Sequence, residues 1–186
     1  MGDIKKFYKI AIFLFLFFIL FISSYIFFSY KKIKTNQAPD ISGCFQKEEK
    51  IIQGDSMAPM IANGEEIILL ENYYKCGYSV KRGDVIAYNY GGHKNPLIKI
   101  VRATSADKVE IFGGRLKIND EIMENSTGQE YTFAEKEIKI MDLYIKDGHI
   151  PPNSFLIFGD NIGDSADSRK FGAVSANDFV GKFVAP

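Results

Sequence analysis

Ser56 is a serine whose surroundings could support nucleophilic chemistry. It lies in the segment QGDSMAPMIANGEE (residues 53–66), which also contains two glycines and a proline. A serine hydroxyl acts as a nucleophile only when a base and an oxyanion site are supplied from elsewhere in the chain. Because serine, aspartate, glycine and proline are also common turn residues, this segment taken alone favours a turn.

Lys99 is the candidate base. It lies in NPLIKIVRA (95–103), where the alternation of a β-strand would place Leu97, Lys99 and Val101 on one face. Desolvation between two aliphatic side chains lowers the pKa of a lysine, and a neutral amine near pH 7 is a competent general base. The alternative is a solvated lysine on an edge strand, where its charge prevents aggregation.

The two histidines are weaker candidates for a base. His93 lies in YGGHKNP (90–96), a loop-like sequence in which an exposed polar residue needs no function. His149 follows Asp147 and Gly148, and this spacing is too short for the Asp-x-x-His of the SGNH esterases, whose first motif also contains Gly-Asp-Ser. An esterase of that type is therefore disfavoured.

A third segment, FGDNIGDSADSRKFGAV (158–174), is rich in groups that form hydrogen bonds. Ser165, Asp167, Ser168 and Arg169 lie close together here among several glycines. This density of polar side chains exceeds what an ordinary turn requires.

The elements that accompany these residues include an apolar N-terminal segment. Residues 10–30 carry no charge, and 21 residues at about 1.5 Å each span roughly 30 Å, the thickness of the hydrocarbon core of a bilayer. We predict a transmembrane helix here, after a short tail (1–9) and before a polar tether (31–50). No Ala-x-Ala-like site separates the helix from Lys31 and Lys32, so an uncleaved anchor is favoured over a cleaved signal peptide.

Charge gives little information about orientation or partners. Three lysines precede the apolar segment closely and three follow it, so the positive-inside rule selects neither orientation. The formal net charge is zero, which argues against nucleic acid as the main partner and leaves the flanking lysines to meet anionic lipid.

Residues 51–186 are predicted to form one mainly β domain. Six short segments rich in Ile, Val, Phe or Tyr are bounded by turn residues, at 65–70, 84–90, 97–103, 108–112, 115–119 and 154–160. Gly113-Gly114, between two of these segments, predicts a tight hairpin because both positions of a primed turn need a positive φ. Residues 133–146 stay ambiguous between helix and strand.

Cys44 and Cys76 lie on either side of the Ser56 segment. Their spacing fits neither a zinc site nor a redox C-x-x-C motif. If the domain lies outside the cytoplasm, a disulfide could clamp the tether to the fold; if it lies inside, they are two unrelated small hydrophobic residues. The sequence leaves both interpretations open.

Taken together, the three polar segments resemble those of the type I signal peptidases, membrane-bound serine proteases with a Ser-Lys dyad. The resemblance is carried by GDSMAP around Ser56, the strand of Lys99, RGDVI (82–86), and GDN followed by SADSR and FG near the C-terminus. It covers roughly residues 50–183 and the apolar segment besides, and several ordered motifs are far more specific than one. It implies a mostly antiparallel β-sheet domain on the outer side of the cell (inner) membrane, held by a single transmembrane helix.

The resemblance implies roles for the polar residues. Ser56 matches the nucleophile and Lys99 the general base. Ser165 matches the serine whose hydroxyl holds the lysine amine in place. Asp167 and Arg169 match an ion pair that supports the active-site loop.

The resemblance also implies a substrate cleft and an oxyanion site. The residues that line the cleft in such enzymes match Ile52, Met57, Ile61 and Ile98, whose bulk would leave room only for small substrate side chains. Gly54 stands where many members carry a serine that helps to bind the oxyanion. This chain would then rely on backbone N–H groups, that of Ser56 first, and we expect Gly54→Ser to be tolerated.

The implied reaction is endoproteolysis of secretory precursor proteins after an Ala-x-Ala-like site, beside the lipid bilayer and with no metal or cofactor. Two alternatives stay open: a conjugative-transfer-type processing peptidase that matures a pilin-like substrate, and a catalytically idle, membrane-anchored β-domain for binding or assembly. A repressor-type Ser-Lys autoprotease is disfavoured because nothing in the sequence resembles a DNA-binding helix pair. The sequence predicts no oligomeric state.

Overall fold

The computed structural model describes residues 43–91 and 95–185. The predicted tail (1–9), transmembrane helix (10–30) and most of the tether (31–50) lie outside the described residues, as does His93. Within the two described ranges, no helix has both the length and the apolar character that a membrane crossing requires.

The described residues form ten strands, two α-helices and two 3-10 helices. The strands are β1 (Gln46–Ile51), β2 (Glu66–Glu71), β3 (Val85–Tyr88), β4 (Leu97–Thr104), β5 (Val109–Phe112), β6 (Arg115–Ile118), β7 (Glu121–Ile122), β8 (Ser154–Phe158), β9 (Val174–Ser175) and β10 (Phe179–Val184). The α-helices are α1 (Glu135–Tyr144) and α2 (Ser168–Phe171), and the 3-10 helices are Tyr73–Cys76 and Ala176–Asp178.

In the described part of the chain, the strands form two sheets. The larger sheet has seven strands in the order β1-β2-β10-β3-β4-β8-β9, and the smaller has three in the order β5-β6-β7. All neighbouring strands run antiparallel. The prediction of a mainly β, antiparallel domain is therefore confirmed.

The predicted hairpin is also confirmed. Phe112 at the end of β5 pairs with Arg115 at the start of β6, and Gly113 and Gly114 between them have φ angles of 58° and 76°. Residues 133–146, which the sequence left ambiguous, form helix α1 over most of their length. Its first turn is closed by the Glu137 carboxylate, which accepts from the N–H of Ala134 at 2.8 Å.

Strands β1 and β10 were not predicted. β10 pairs with both β2 and β3 near the centre of the larger sheet, and Gly181 interrupts its apolar pattern. A Cβ at Gly181 would lie 2.3 Å from the carbonyl oxygen of Leu70, so the close approach of β10 to β2 requires glycine. All of β1 except Ile51 lies in the segment predicted as tether (31–50). It forms a strand because its backbone pairs with β2, although its side chains are mostly exposed.

Three groups of buried apolar side chains form the core of the described residues. The first joins the smaller sheet, α1 and β8, and includes Met141 and Phe158. The second joins the segment 52–61 to β2, β4 and β10. The third includes Ile86 and Val101 of neighbouring strands. The segment that carries Ser56 is thus held against the larger sheet by apolar packing.

Cys44 and Cys76 form a disulfide. It ties the chain just before β1 to the 3-10 helix that follows β2. Of the two interpretations that the sequence left open, the disulfide is the one that the structure bears out.

Candidate active site

Ser56 and Lys99 meet across the fold. Ser56 lies between β1 and β2, and Lys99 lies in β4. The Oγ of Ser56 is 2.8 Å from the Nζ of Lys99, and the same Nζ donates to the carbonyl oxygen of Ile98 at 2.7 Å. A hydroxyl at hydrogen-bond distance from an amine has the geometry that proton transfer requires.

Burial changes the pKa of Lys99, whose side chain is only 1% exposed. Desolvation of the ammonium form lowers the pKa of Lys99 to about 8. The nearby negative charge of Asp167 opposes this change, whereas the positive charges of Arg169 and Lys170 add to it. A free lysine has a pKa of about 10.4, so at a given pH the neutral fraction of Lys99 is far larger than that of a solvated lysine.

Asp167 and Arg169 form an ion pair. The guanidinium donates through Nε to Oδ1 at 2.9 Å and through Nη2 to Oδ2 at 2.8 Å, and both side chains are buried. The remaining Nη1 donates to the carbonyl oxygen of Ile162 at 2.8 Å. Asp167 also accepts from the N–H of Gly159 at 3.2 Å, so the pair connects helix α2 to the chain that follows β8.

Ser165 lies beside the dyad, but its hydroxyl does not bond to Lys99. A Cβ at Gly159 would lie 2.3 Å from the Oγ of Ser165 and 2.4 Å from the carbonyl oxygen of Ser56, so both serines lie against this glycine. Ser165 is buried, and its Oγ has no hydrogen-bond partner among the described residues. The hydrogen bond to Lys99 that the resemblance implies is therefore not made in this arrangement.

The backbone at Ser56 offers a donor for an oxyanion. The N–H of Ser56 makes no hydrogen bond within the described part of the chain. Gly54 has a φ of 92°, and its N–H donates to Oδ1 of Asn63 at 3.3 Å. Because a residue with a side chain is strained at this φ, the geometry argues against the expected tolerance of Gly54→Ser.

A groove of about 420 Å³ has Ile52, Gln53 and Ile98 in its wall. Ile52 and Ile98 are two of the four residues predicted to line a substrate cleft. The other two, Met57 and Ile61, are 1% and 8% exposed and belong to the same buried apolar group as Ile52. The N–H of Ile61 donates to the carbonyl oxygen of Met57 at 2.9 Å, and this helical turn places both side chains on the same, inward side.

Asp160, for which no role was predicted from the sequence, is fully buried. Its carboxylate accepts from the N–H of Met60 at 3.2 Å and from the N–H of Ser126 at 2.9 Å, and it lies 3.7 Å from the guanidinium of Arg102. It thereby joins the segment after Ser56 to the loop that follows β7.

The next residue, Asn161, was missed in the same way. Its backbone N–H and its side-chain amide donate to the carbonyl oxygens of Ser56 and Asp55, both at 3.1 Å. The available signal was the Gly-Asp-Asn triplet at the end of a predicted strand, where polar side chains commonly serve loops that carry function.

His149 lies on the surface, and its Nδ1 is 3.1 Å from the carbonyl oxygen of Asp107. Among the described residues, neither Ser56 nor Lys99 forms a hydrogen bond with His149. Among the described residues, no cluster of His, Cys, Asp and Glu is arranged to hold a metal ion.

Comparison with known proteins gives consistent matches over the same part of the chain. The profile of the family described as "Signal peptidase, peptidase S26" matches residues 41–186. Signal peptidase IB of Staphylococcus aureus is 28% identical over 151 residues, which cover 76% of this chain and 78% of that protein. Signal peptidase I P of Bacillus subtilis subsp. natto is 27% identical over 142 residues, or 74% and 75% of the two chains.

A solved structure is also similar. The crystal structure of a signal peptidase I from Enterococcus faecalis V583 matches with a TM-score of 0.38 and 19% identity, covering 57% of this chain and 98% of that one.

Proposed function

The chain belongs to the type I signal peptidase family, peptidase S26, and from that premise we propose that it removes signal peptides from secretory precursors with Ser56 as nucleophile and Lys99 as general base. The observation that carries the proposal is the 2.8 Å distance between the Oγ of Ser56 and the Nζ of a buried Lys99. A serine peptidase needs an activated hydroxyl, and this amine is the base within reach.

The proposed reaction has two steps, acylation and deacylation, and Lys99 accepts and then donates a proton in each. Neutral Lys99 takes the proton of Ser56 as Oγ attacks the scissile carbonyl, and the N–H of Ser56 donates to the developing oxyanion. The lysine ammonium then protonates the leaving amine, which departs and leaves an acyl-enzyme. Neutral again, Lys99 deprotonates a water that attacks the ester, and the proton returns to Ser56 as the acid product leaves.

The groove supports a preference for small side chains before the cut. Ile52 and Ile98 lie in its wall, and Met57 and Ile61 belong to the same buried apolar group as Ile52. Branched aliphatic walls favour apolar substrate residues and exclude bulky ones. An Ala-x-Ala-like site fits this constraint.

Three buried polar residues complete the proposed site. Asp167 and Arg169 fix the chain after β8 and so support the place where Ser56 and Lys99 meet. Ser165 lies against Gly159 beside Ser56, and a rotation of its unpartnered hydroxyl toward Lys99 would let it hold the amine.

A membrane-bound setting is part of the proposal. Residues 10–30 are long and apolar enough to act as a single transmembrane anchor in the cell membrane. The disulfide between Cys44 and Cys76 supports a catalytic domain on the extracytoplasmic side, because such bonds persist in oxidising compartments. Tethering enzyme and precursor to one bilayer raises their effective concentration, so a short motif suffices for recognition.

The proposal is tested by cleavage of a panel of precursors. The full chain in detergent is incubated with several secretory precursors and one pilin-like precursor, and the cut sites are located by mass spectrometry. We expect cuts after Ala-x-Ala-like sites in several precursors, lost when the last alanine is replaced by leucine and absent with Ser56→Ala. Cutting of the pilin-like precursor alone would favour the dedicated processing peptidase. No cutting at all would favour the idle binding domain.

A further inference from the structure

Asn161 joins the polar segment after β8 to the segment that carries Ser56. Its Nδ2 donates to the carbonyl oxygen of Asp55 at 3.1 Å, across 106 residues of sequence. Its Oδ1 accepts from the N–H of Asp164 at 3.2 Å. Because a backbone donor occupies Oδ1, the amide has one consistent orientation, in which Nδ2 faces Asp55.

The bond to Asp55 acts on the backbone N–H of Ser56. A peptide unit is planar and trans, so the carbonyl of Asp55 and the N–H of Ser56 share one rigid plane and point in opposite directions. Fixing the carbonyl therefore fixes the direction of that N–H. The N–H of Ala58 donates to the same carbonyl at 3.0 Å, and the backbone N–H of Asn161 holds the following peptide unit through the carbonyl of Ser56 at 3.1 Å.

The direction of this N–H matters because it is the donor nearest to the nucleophile along the chain. It has no hydrogen-bond acceptor within the described residues, so it is available to a substrate oxygen. A donor stabilises a developing oxyanion best when it is aimed before the reaction and does not reorganise during it.

We infer that Asn161 is a positioning residue for the oxyanion site: through the carbonyl of Asp55 it aims the N–H of Ser56 at the oxygen of the tetrahedral intermediate. This inference rests on the proposed function, in which Ser56 is the nucleophile. Asn161 acts through a peptide unit and not by contact with the substrate, so its loss should affect the transition state more than substrate binding.

If Asn161 had a purely structural role, its replacement would lower stability without a specific loss of kcat. Asn119 provides the matched control for this alternative. The Nδ2 of Asn119 donates to Oδ1 of Asp107 at 2.7 Å, and its Oδ1 accepts from the N–H of Lys108 at 2.8 Å. Asn119→Asp thus removes one amide donor and places a carboxylate against that of Asp107, in a loop at the smaller sheet. It is expected to cost stability without acting on the peptide unit of Ser56.

The experiment compares the full chain with Asn161→Asp, Asn161→Ala, Asn119→Asp and Ser56→Ala in detergent. Each is assayed with a fluorogenic peptide that contains an Ala-x-Ala site, and with the matching peptide aldehyde, whose adduct with the serine places an oxygen in the oxyanion site. We expect both Asn161 variants to lower kcat by about 10- to 100-fold, since a whole oxyanion donor is worth about 10²–10³. KM should stay near its original value, and the aldehyde should bind more weakly by a similar factor.

Two further readouts separate this role from others. The pH midpoint of the rate should not move in Asn161→Ala, which adds no charge near Lys99, and Asn119→Asp should lower the melting temperature with kcat unchanged. Asn161→Asp keeps the size of the side chain, so its kcat decides the test if Asn161→Ala melts below the assay temperature. Folded Asn161 variants with an unchanged kcat, or a loss confined to KM, would overturn the inference. Equal cleavage by Ser56→Ala and the original chain would instead overturn the proposed function, and this inference with it.

Discussion

Removing either member of the dyad should abolish cleavage and leave the protein folded. Ser56→Ala deletes the nucleophile, and Lys99→Met replaces a buried amine by an apolar side chain of similar length. We expect each change to lower kcat by roughly 10⁴-fold or more, and the double variant to be no worse than either single one, because residues that act as a unit are not additive. Single-turnover assays with purified variants, checked by thermal melts, measure this. Substantial turnover by either folded variant would end the dyad assignment.

The rate of cleavage should rise with pH through the pKa of Lys99. Only the neutral amine can take the proton of Ser56, and burial lowers the pKa of this lysine to about 8. Activity should therefore be low at pH 6, half-maximal near the pKa of Lys99, and level above it, when kcat/KM is measured over that range. If the pH midpoint lay near the ordinary pKa of histidine and disappeared in His149→Gln, the base would be His149 instead.

The dyad could be predicted from the sequence because its members lie in short motifs, but the wall of the groove could not be predicted completely. Ile98 directly precedes Lys99 in the chain, Ile52 lies a few residues before Ser56, and both line the groove. Met57 and Ile61 lie in a helical turn that buries both side chains, and this turn is not visible in the pattern of residue types. Asn161 was missed for a related reason, since its bond to Asp55 depends on two segments 106 residues apart.

At the scale of elements, helix α2 depends on the pair formed by Asp167 and Arg169. Arg169→Ala would leave the buried carboxylate of Asp167 unpaired, and breaking a buried pair typically costs about 3–5 kcal/mol. Because Asp167 also holds Gly159, against which Ser56 lies, the melting temperature and the activity should fall together. Denaturant unfolding and kcat on the same preparations check this.

The exposed pair of Arg115 and Glu130 provides the control for that experiment. Its side chains are 41% and 39% exposed, and such pairs contribute about 1 kcal/mol or less. Arg115→Ala should therefore leave both stability and activity nearly unchanged. If Arg169→Ala lost activity with its stability intact, Arg169 would belong to the substrate site.

The strands predicted from the sequence are short segments rich in apolar residues, and the missed strands β1 and β10 depart from that pattern. β8 is apolar after its first residue, and β4 is apolar except at Lys99, Arg102 and Thr104. β10 is interrupted by Gly181, which is needed only because Leu70 of the neighbouring strand comes so close. β1 is polar and is held by backbone pairing with β2, which side-chain patterns do not report.

At the scale of the whole molecule, the disulfide between Cys44 and Cys76 should account for a large share of the stability of the catalytic domain. It closes a loop with a sequence separation of 32, and the chain-entropy estimate for such a loop is about 3–4 kcal/mol. We expect Cys44→Ser/Cys76→Ser to lower the free energy of unfolding by about this amount, as measured by denaturant titration. Dithiothreitol should have the same effect on the original chain and none on the double variant; a reductant effect on both would point to another cause.

The same disulfide predicts on which side of the membrane the catalytic domain lies. Thiols stay reduced in the cytoplasm and pair outside it, so a domain that faces outward should carry Cys44 and Cys76 fully oxidised in the cell. Acid-quenched cells treated with a polyethylene-glycol maleimide should then show a mass shift only after reduction. Leu143→Cys adds an independent probe, because Leu143 is 72% exposed, and a membrane-impermeant maleimide should label it in intact cells. The domain would instead lie in the cytoplasm if Leu143→Cys were labelled only after lysis and Cys44 and Cys76 were alkylated without reduction. Secretory precursors have not yet crossed the membrane there, so the proposed reaction would lack its substrate.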